Sequence, residues 1–426
     1  MRRRGQGATL APPMDFKRRL EQLGRPPVAP PSLDELRQRM ATILGRPAPP
    51  AQPPADPSET ELPFIREYTD EGPVYRRCER LLPSHHVGRM PTDAARAASP
   101  DMLALLALDP RLADCDPARA LFLDTESTGL GGGAGVVAFL VGLAYFDPVD
   151  PAHPLVIEQL LLRSPGDEPA LLRLLADRVE RCGMLVTYNG KAFDMPLLAG
   201  RYVMNQRLPL PARPHLDLLH VARRLHKARL GVCRLVSLEA DVLGFIREGD
   251  VEGADIAGRY GHFLRTGDEE ALAAVVEHNA WDVVSMAALV GLYGEPLGVL
   301  HGGDLVGLAR TLRRAGALEE ADAAAHAAVA RGAGPEALRV RGQVAKARGD
   351  RARALADFEA LAHEVDDPSV RLELAKLYEH HVREPLRALE LLDQGTGEDE
   401  VAAARRRSRL ARKIQRRQAA LGSRKI

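Results

Sequence analysis

The chain has 426 residues, 45% of them hydrophobic, with 58 basic and 58 acidic side chains and a pI near 7.2. That length predicts two or three folded units with real cores, and zero net charge excludes a polycation that binds nucleic acid over its whole surface. The cysteines Cys78, Cys115, Cys182 and Cys233 form no C-x-x-C pair, which excludes a sequence-evident zinc site and does not suggest a disulfide framework.

Met1-Arg2-Arg3-Arg4 is followed by no apolar run of signal-peptide length, and no stretch reaches the roughly 18 apolar residues of a membrane span. A cytoplasmic protein with no membrane partner is therefore expected.

Residues 1–60 are dense in proline and read as an extended tail, with short helical pieces at 16–23 and 32–44. Residues 61–117 have mixed periodicity and are expected to flank the main domain as short strands and turns. From 118 the pattern sharpens into a strand at 118–124, a glycine-rich turn, a second strand at 136–146 and a third at 155–162. A helix at 168–181, a short strand at 184–188 and a helix at 192–206 follow, and the last long helix covers 269–292. A three-stranded meander leading into alternating strand and helix predicts an α/β domain over 118–296, a mixed sheet flanked by helices.

The C-terminal third changes to alanine, leucine, arginine and glutamate at helical spacing. Ala321, Ala354 and Ala388 open similar amphipathic helices 33 and 34 residues apart, and Gly316 and Gly349 break the chain before the first two. This period resembles the tetratricopeptide repeat, although its bulky signature positions are mostly absent and the third copy carries an insertion. An all-α helical-repeat domain is expected over 304–400, with a plain bundle of alanine-rich hairpins as the alternative. Residues 401–426 form a basic helix or tail: from Arg405 to Lys425 there are ten basic residues and no acid. The run could grip nucleic acid, but an arginine-rich capping helix is the preferred reading.

Gly129-Leu130-Gly131-Gly132-Gly133-Ala134 fits the dinucleotide fingerprint G-x-G-x-x-[G/A]. That fingerprint needs a helix after its last small residue, whereas the run beginning at Val136 is β-branched and aromatic and reads as a strand. Strand, glycine turn and strand make a hairpin, so the nucleotide reading is set aside.

The chemistry lies in three short motifs. Asp124 and Glu126, two apart on a strand, share a face and repel each other unless a cation sits between them. Asn189-Gly190-Lys191-Ala192-Phe193-Asp194 joins a buried strand to a helix and sets Asp194 in its first turn. His278 and Asp282, four apart, lie on one face of the last long helix. Trp281, the only tryptophan, is expected to pack in the core. Taken singly, each motif has an ordinary structural explanation. Together, four acids from a strand end, a helix start and a helix face can hold two hard divalent ions through oxygen ligands, and two such ions act on phosphodiesters.

The ordered set D-x-E, N-x3-F-D and H-x3-D, in "FLDTESTGLGGGAGVVAFLVGL", "VTYNGKAFDMPLL" and "EHNAWDVVSMAAL", resembles the DEDD exonuclease superfamily on its ribonuclease H-like fold. Within it the chain is similar to the YprB-like ribonuclease H-like domain family over about residues 62–292. The resemblance implies a 3′–5′ exonuclease using two Mg2+ or Mn2+ ions. It implies that Asp124, Glu126, Asp194 and Asp282 bind them, and that His278 orients or deprotonates the water. His278 stands four before the last Asp, the spacing at which the tyrosine subgroup has Tyr; the histidine subgroup places its His five before.

Between Asp217 and Glu239 there is no acid, and "HVARRLHKARLGVCR" carries Arg223, Arg224, His226, Lys227, Arg229 and Arg234. Such a segment can hold strand phosphates, with a solvated basic helix as the alternative. Lys227, Arg229 and Arg234, with Asn189, Lys191 and Phe193, are the candidate substrate contacts. The expected partners are nucleic acid, RNA or DNA, and a protein bound by the repeats. The competing functional reading is a non-catalytic nucleic-acid-binding or scaffold protein.

Overall fold

The computed structural model describes residues 62–129 and 135–422; the proline-rich segment, most of the glycine turn and the last four residues lie outside the described range. A seven-stranded sheet has the order β1-β2-β7-β6-β5-β8-β9. Its strands are β1 (Ile65–Thr69), β2 (Gly72–Leu81), β5 (Ala120–Ser127), β6 (Ala138–Phe146), β7 (Leu155–Leu161), β8 (Met184–Thr187) and β9 (His215–Asp217). The strands β3 (His86–Val87) and β4 (Met90–Pro91) form a separate ribbon. β1, β2, β7, β6 and β5 pair antiparallel, and β8 and β9 add to β5 in parallel.

The central strands are buried on both faces, which their near-continuous apolar runs dictate. Leu121 and Leu123 join one core with α2 (Glu168–Arg181) and α3 (Asp194–Met204), and Phe122 joins the other. This is the two-residue period of a strand. α1 (Pro100–Ala107), α4 (Leu218–Leu225) and most of α6 (Glu270–Gly294) cover the Phe122 face, while α5 (Gly253–Thr266) and the first turns of α6 pack with the Leu121 side. β2 is the part of the flanking segment that completes the sheet. It pairs Cys78 with Glu158, and the fully buried Glu158 carboxylate takes Arg76 and Arg178 as partners.

Three antiparallel helix pairs follow: α7 (Gly302–Ala315) with α8 (Leu318–Ala330), α9 (Pro335–Arg348) with α10 (Arg351–Glu364), and α11 (Pro368–Leu377) with α12 (Pro385–Asp393). Gly316 and Gly349 end α7 and α9 with the same left-handed cap, φ 85°. The irregularity of the third copy is a wide helical turn, Tyr378–Val382, between its two helices. Buried alanines such as Ala321, Ala324, Ala325 and Ala328 let these helices approach closely.

The basic C-terminal helix α13 (Glu400–Gly422) caps this stack. Its Arg406, Arg409 and Lys413 surround Glu379, whose side chain is fully buried. Burial opposes charge on Glu379, but these cations hold its carboxyl at about 2. Among the described residues no helix is long and apolar enough to cross a membrane, and all four cysteines are free.

Candidate metal centre

Asp124 and Glu126 stand on one face at the C-terminal end of β5, where the pairing with β6 becomes irregular after Glu126. Opposite Asp124 the neighbouring strand has Gly142, and beyond it on β7 lies Gln159. That row has no room for a side chain at its middle: a Cβ on Gly142 would sit 2.2 Å from Asn279 Oδ1. The buried Asn279 amide instead bridges the two strands. Its Nδ2 donates to Asp124 Oδ2 at 2.9 Å, and its Oδ1 accepts from Gln159 Nε2 at 3.0 Å. Asn279 thereby fixes one oxygen of Asp124 and leaves the other for the cavity.

Asp194 is the first residue of α3 and accepts a 2.6 Å hydrogen bond from Thr125 Oγ1. The turn before it is held from below by Asp217, which accepts from the backbone amides of Asn189 and Lys191 and also caps α4 through Leu219 N. Asn189 has φ 68°, and its carbonyl accepts from the amides of Ala192 and Phe193. Asparagine tolerates this left-handed geometry better than most residues, which explains the residue type at the turn.

From α6, His278 and Asp282 complete the cluster. His278 Nδ1 lies 2.6 Å from Asp250 Oδ1 and donates its proton there, so Nε2 faces Asp282 Oδ2 at 3.6 Å and Glu126 Oε1 at 4.0 Å. The imidazole thus points at the acids. Ligand atoms of Glu126, His278 and Asp282 lie within 4.8 Å of one another.

Burial, then Asp282, Glu126 and Asp194, pushes the Asp124 carboxyl well above its usual range. Burial and Asp282 push Glu126 to about 8, and burial raises Asp194 to about 6 against the opposing Thr125 hydrogen bond. Burial opposes charge on His278, but Asp282, the Asp250 hydrogen bond and Glu126 raise it above its ordinary value.

Arg247 is the cation that answers this charge. Its guanidinium is buried, makes two hydrogen bonds to Glu239, donates to Asp282 Oδ1, and lies 5.5 Å over the Trp281 ring. Trp281 is therefore half-buried as a platform under Arg247, beside Phe245, and not a fully buried core residue.

A cavity of about 560 Å³ opens on Asp124, Glu126, Asp194, His278 and Asp282, with Asn189, Tyr188 and Phe193 in its wall. Of the other candidate contacts, Lys191 is exposed beside the turn, and Lys227 and Arg234 are exposed further along. None of the three lines this cavity. Arg229 requires a correction. Its guanidinium makes a bidentate pair with the buried Asp304 of α7, at 2.9 and 2.7 Å, and is committed to joining the repeats to the sheet domain. Arg247, Asp250, Asn279, Gln159 and Asp217 are the supporting residues that motif spacing did not expose. Asn279 alone carried a signal, being inside the H-x3-D motif.

Residues 121–293 match the family model of the RNase H superfamily. The "Uncharacterized protein YprB" of Bacillus subtilis (strain 168) is 42% identical over 172 residues, which is 39% of this chain and 40% of that protein. The alignment therefore spans about two fifths of either chain. Among solved structures, the family B DNA polymerase of the hyperthermophilic archaeon Pyrobaculum calidifontis aligns over 54% of this chain and 29% of its own, with a TM-score of 0.33 and 14% identity. The part of the chain that carries the carboxylates, from β5 to the end of α6, has an RNase H-like fold and matches the RNase H superfamily.

Proposed function

We propose that the chain is a divalent-metal-dependent nuclease that removes nucleotides from the 3′ end of a nucleic-acid strand, with Asp124, Glu126, Asp194 and Asp282 holding two Mg2+ or Mn2+ ions. One observation carries the reading. Four carboxylates and an oriented imidazole from three elements converge on one cavity, and three of the carboxyls are raised by burial and by neighbouring charge. Divalent cations would relieve that charge excess. An oxygen-rich donor set with one imidazole and no thiolate suits magnesium or manganese better than zinc. The exonucleolytic polarity rests on the resemblance of the three motifs.

When bound, such ions stabilise the attacking and leaving oxygens at phosphorus. The protein's own groups do the rest. His278 Nε2, with Nδ1 bonded to Asp250, takes the proton of the attacking water. Asn279 and Thr125 hold Asp124 and Asp194 in place through single hydrogen bonds. Phe193, 53% exposed at the rim, offers a ring face on which a terminal base can stack.

The test is cleavage of 5′-labelled single-stranded RNA and DNA with magnesium, manganese or EDTA, beside Asp282→Asn. A ladder shortening from the 3′ end, lost in EDTA and in the variant, is expected. A folded wild type that leaves both strands intact overturns the proposal.

The Asp250–His278 bond gives a separate expectation. His278 must be neutral to accept a proton, and Asp250 helps hold its pKa above the ordinary value. Asp250→Asn should therefore move the rising limb of the pH–rate profile to lower pH and reduce the plateau about 10- to 100-fold, as loss of an orienting partner does. An unchanged profile would remove Asp250 from the mechanism.

A further inference from the structure

The helical pairs do not hang from the sheet domain by a linker. α7 is seated directly on the end of α4: a Cβ on Gly307 would lie 2.5 Å from Leu225 O and 2.6 Å from Arg224 O, so only glycine permits this approach. The Arg229–Asp304 pair and His226, buried between Asp304 and the Tyr293 hydroxyl, fasten the same junction. The basic segment and α7 are thus packed directly against each other.

Their surface adjoins the wall of the carboxylate cavity at Tyr188. Tyr188 lines the cavity, and its hydroxyl donates to Cys233 O at 2.8 Å, which places Arg234 next to the cavity wall. Arg223 acts electrostatically on both Tyr188 and Cys233, and Lys227 also acts on Cys233. On the far side, Arg224 feels the positive charge of Arg314 on α7. Arg313, next to it, lines the groove between the first helices of the pairs.

The cations Arg223, Lys227, Arg234, Arg313 and Arg314 are exposed, and none has a carboxylate partner among the described residues. Elsewhere in that groove the charges are answered: Arg339 pairs with Glu336 and Asp367, and Lys346 pairs with Glu373. Along the ridge that leads toward α7 the positive charge is left unanswered.

We infer that this ridge binds the phosphate backbone of a single-stranded nucleic acid and leads it from the metal centre onto the first helix of the repeats. The inference rests on the proposed nuclease reading and extends it: the repeats become part of the substrate path. Five cations free of carboxylates match a polyanion. Their position beside the cavity favours the strand being cut over a separate acidic protein. A single strand can follow a ridge that turns from α4 to α7, whereas a duplex, with a persistence length of about 150 base pairs, stays straight over that distance. No base contact is required, so RNA and DNA strands are both accommodated.

The experiment measures fluorescence anisotropy with the full chain, calcium replacing magnesium, and single strands of about 5 and about 30 nucleotides, lengths that bracket typical strand-binding site sizes. Wild type is compared with Arg313→Ala/Arg314→Ala over a salt series, with thermal melting to check that the double variant is folded. The variant should bind the longer strand about tenfold more weakly, and its log–log salt slope should be shallower by about 1.4, about 0.7 for each lost phosphate contact with a single strand. Binding of the shorter strand should change less than twofold.

Equal affinity and slope for the longer strand in wild type and variant overturns the inference. So does an equal loss for both strand lengths, which would place the two arginines in the cavity's own binding. If a poly-glutamate peptide displaces the longer strand as well as unlabelled strand does, the ridge serves an acidic protein and the inference fails. Wild type that binds neither RNA nor DNA of either length removes the nuclease reading itself.

Discussion

Asp124→Asn should lose cleavage by roughly a thousandfold or more, the scale on which loss of one charge-stabilising group acts, and yet melt at a higher temperature than wild type in EDTA. Both effects come from the same crowding. Asp124 is half-buried and faces Asp282, Glu126 and Asp194, so its charge is unfavourable until a cation arrives. The amide keeps the shape and can still accept from Asn279 through its oxygen, but removes that charge. The pH dependence follows from the raised carboxyls. Glu126 moves from 4.5 to about 8 on folding, so between those values the native state binds the proton that the unfolded state has released. Stability therefore falls as pH rises through that window, on the order of a few kcal/mol for a shift of this size. Asp194, raised to about 6, adds to the lower part of it. Melting curves in EDTA across that range should slope downward for wild type and flatten in Asp124→Asn. Manganese should raise the wild-type melting temperature more than that of the variant. Normal cleavage by Asp124→Asn, or a variant that melts lower than wild type in EDTA at pH 8, would contradict the metal-site reading.

The elements that were legible in the sequence are those whose information is local. β6 and β7 are apolar almost throughout because helices cover both faces, and α2 occupies 168–181 as its amphipathic pattern predicts. The acids and His278 were legible for the same reason, since two-residue and four-residue spacings fix a shared face without any tertiary knowledge. β2 was not. Its Arg76-Arg77-Cys78-Glu79-Arg80 run reads as surface, and becomes intelligible only when β7 supplies Glu158 and Gln159 to Arg76 and Arg77. Arg229 was misassigned because a run of cations on paper does not show a buried partner 75 residues away. Arg247 and Asp250 come from an irregular segment with no period to mark them, though they touch two of the motif residues. The glycine turn led to a strand, not a helix, as its β-branched continuation required.

Arg247→Met should cost about 3–5 kcal/mol of folding stability, the usual loss when one partner of a buried ion pair is removed, and denaturant unfolding at neutral pH would measure it. The size comes from what is left behind. Arg247 and Glu239 have side chains 1% and 0% exposed, and the guanidinium is bonded to both carboxylate oxygens of Glu239 as well as to Asp282. Methionine would fill much of the space over Trp281 but strand Glu239 in the interior with Asp282 nearby. Burial already disfavours charge on Glu239, and Arg247 is what offsets it. The double variant Arg247→Met/Glu239→Gln should therefore recover much of the loss, because the buried charge leaves with its partner. If the single variant is as stable as wild type, or the double variant is no better than the single, the pair does not carry that energy. Cleavage by the restored double variant then separates two roles. The double variant also takes from Asp282 the hydrogen bond it accepts from Arg247, so unchanged cleavage would make Arg247 structural. A loss in a protein of restored stability would mean that the guanidinium holds Asp282, and through it the face that His278 presents, in the geometry that metal binding requires.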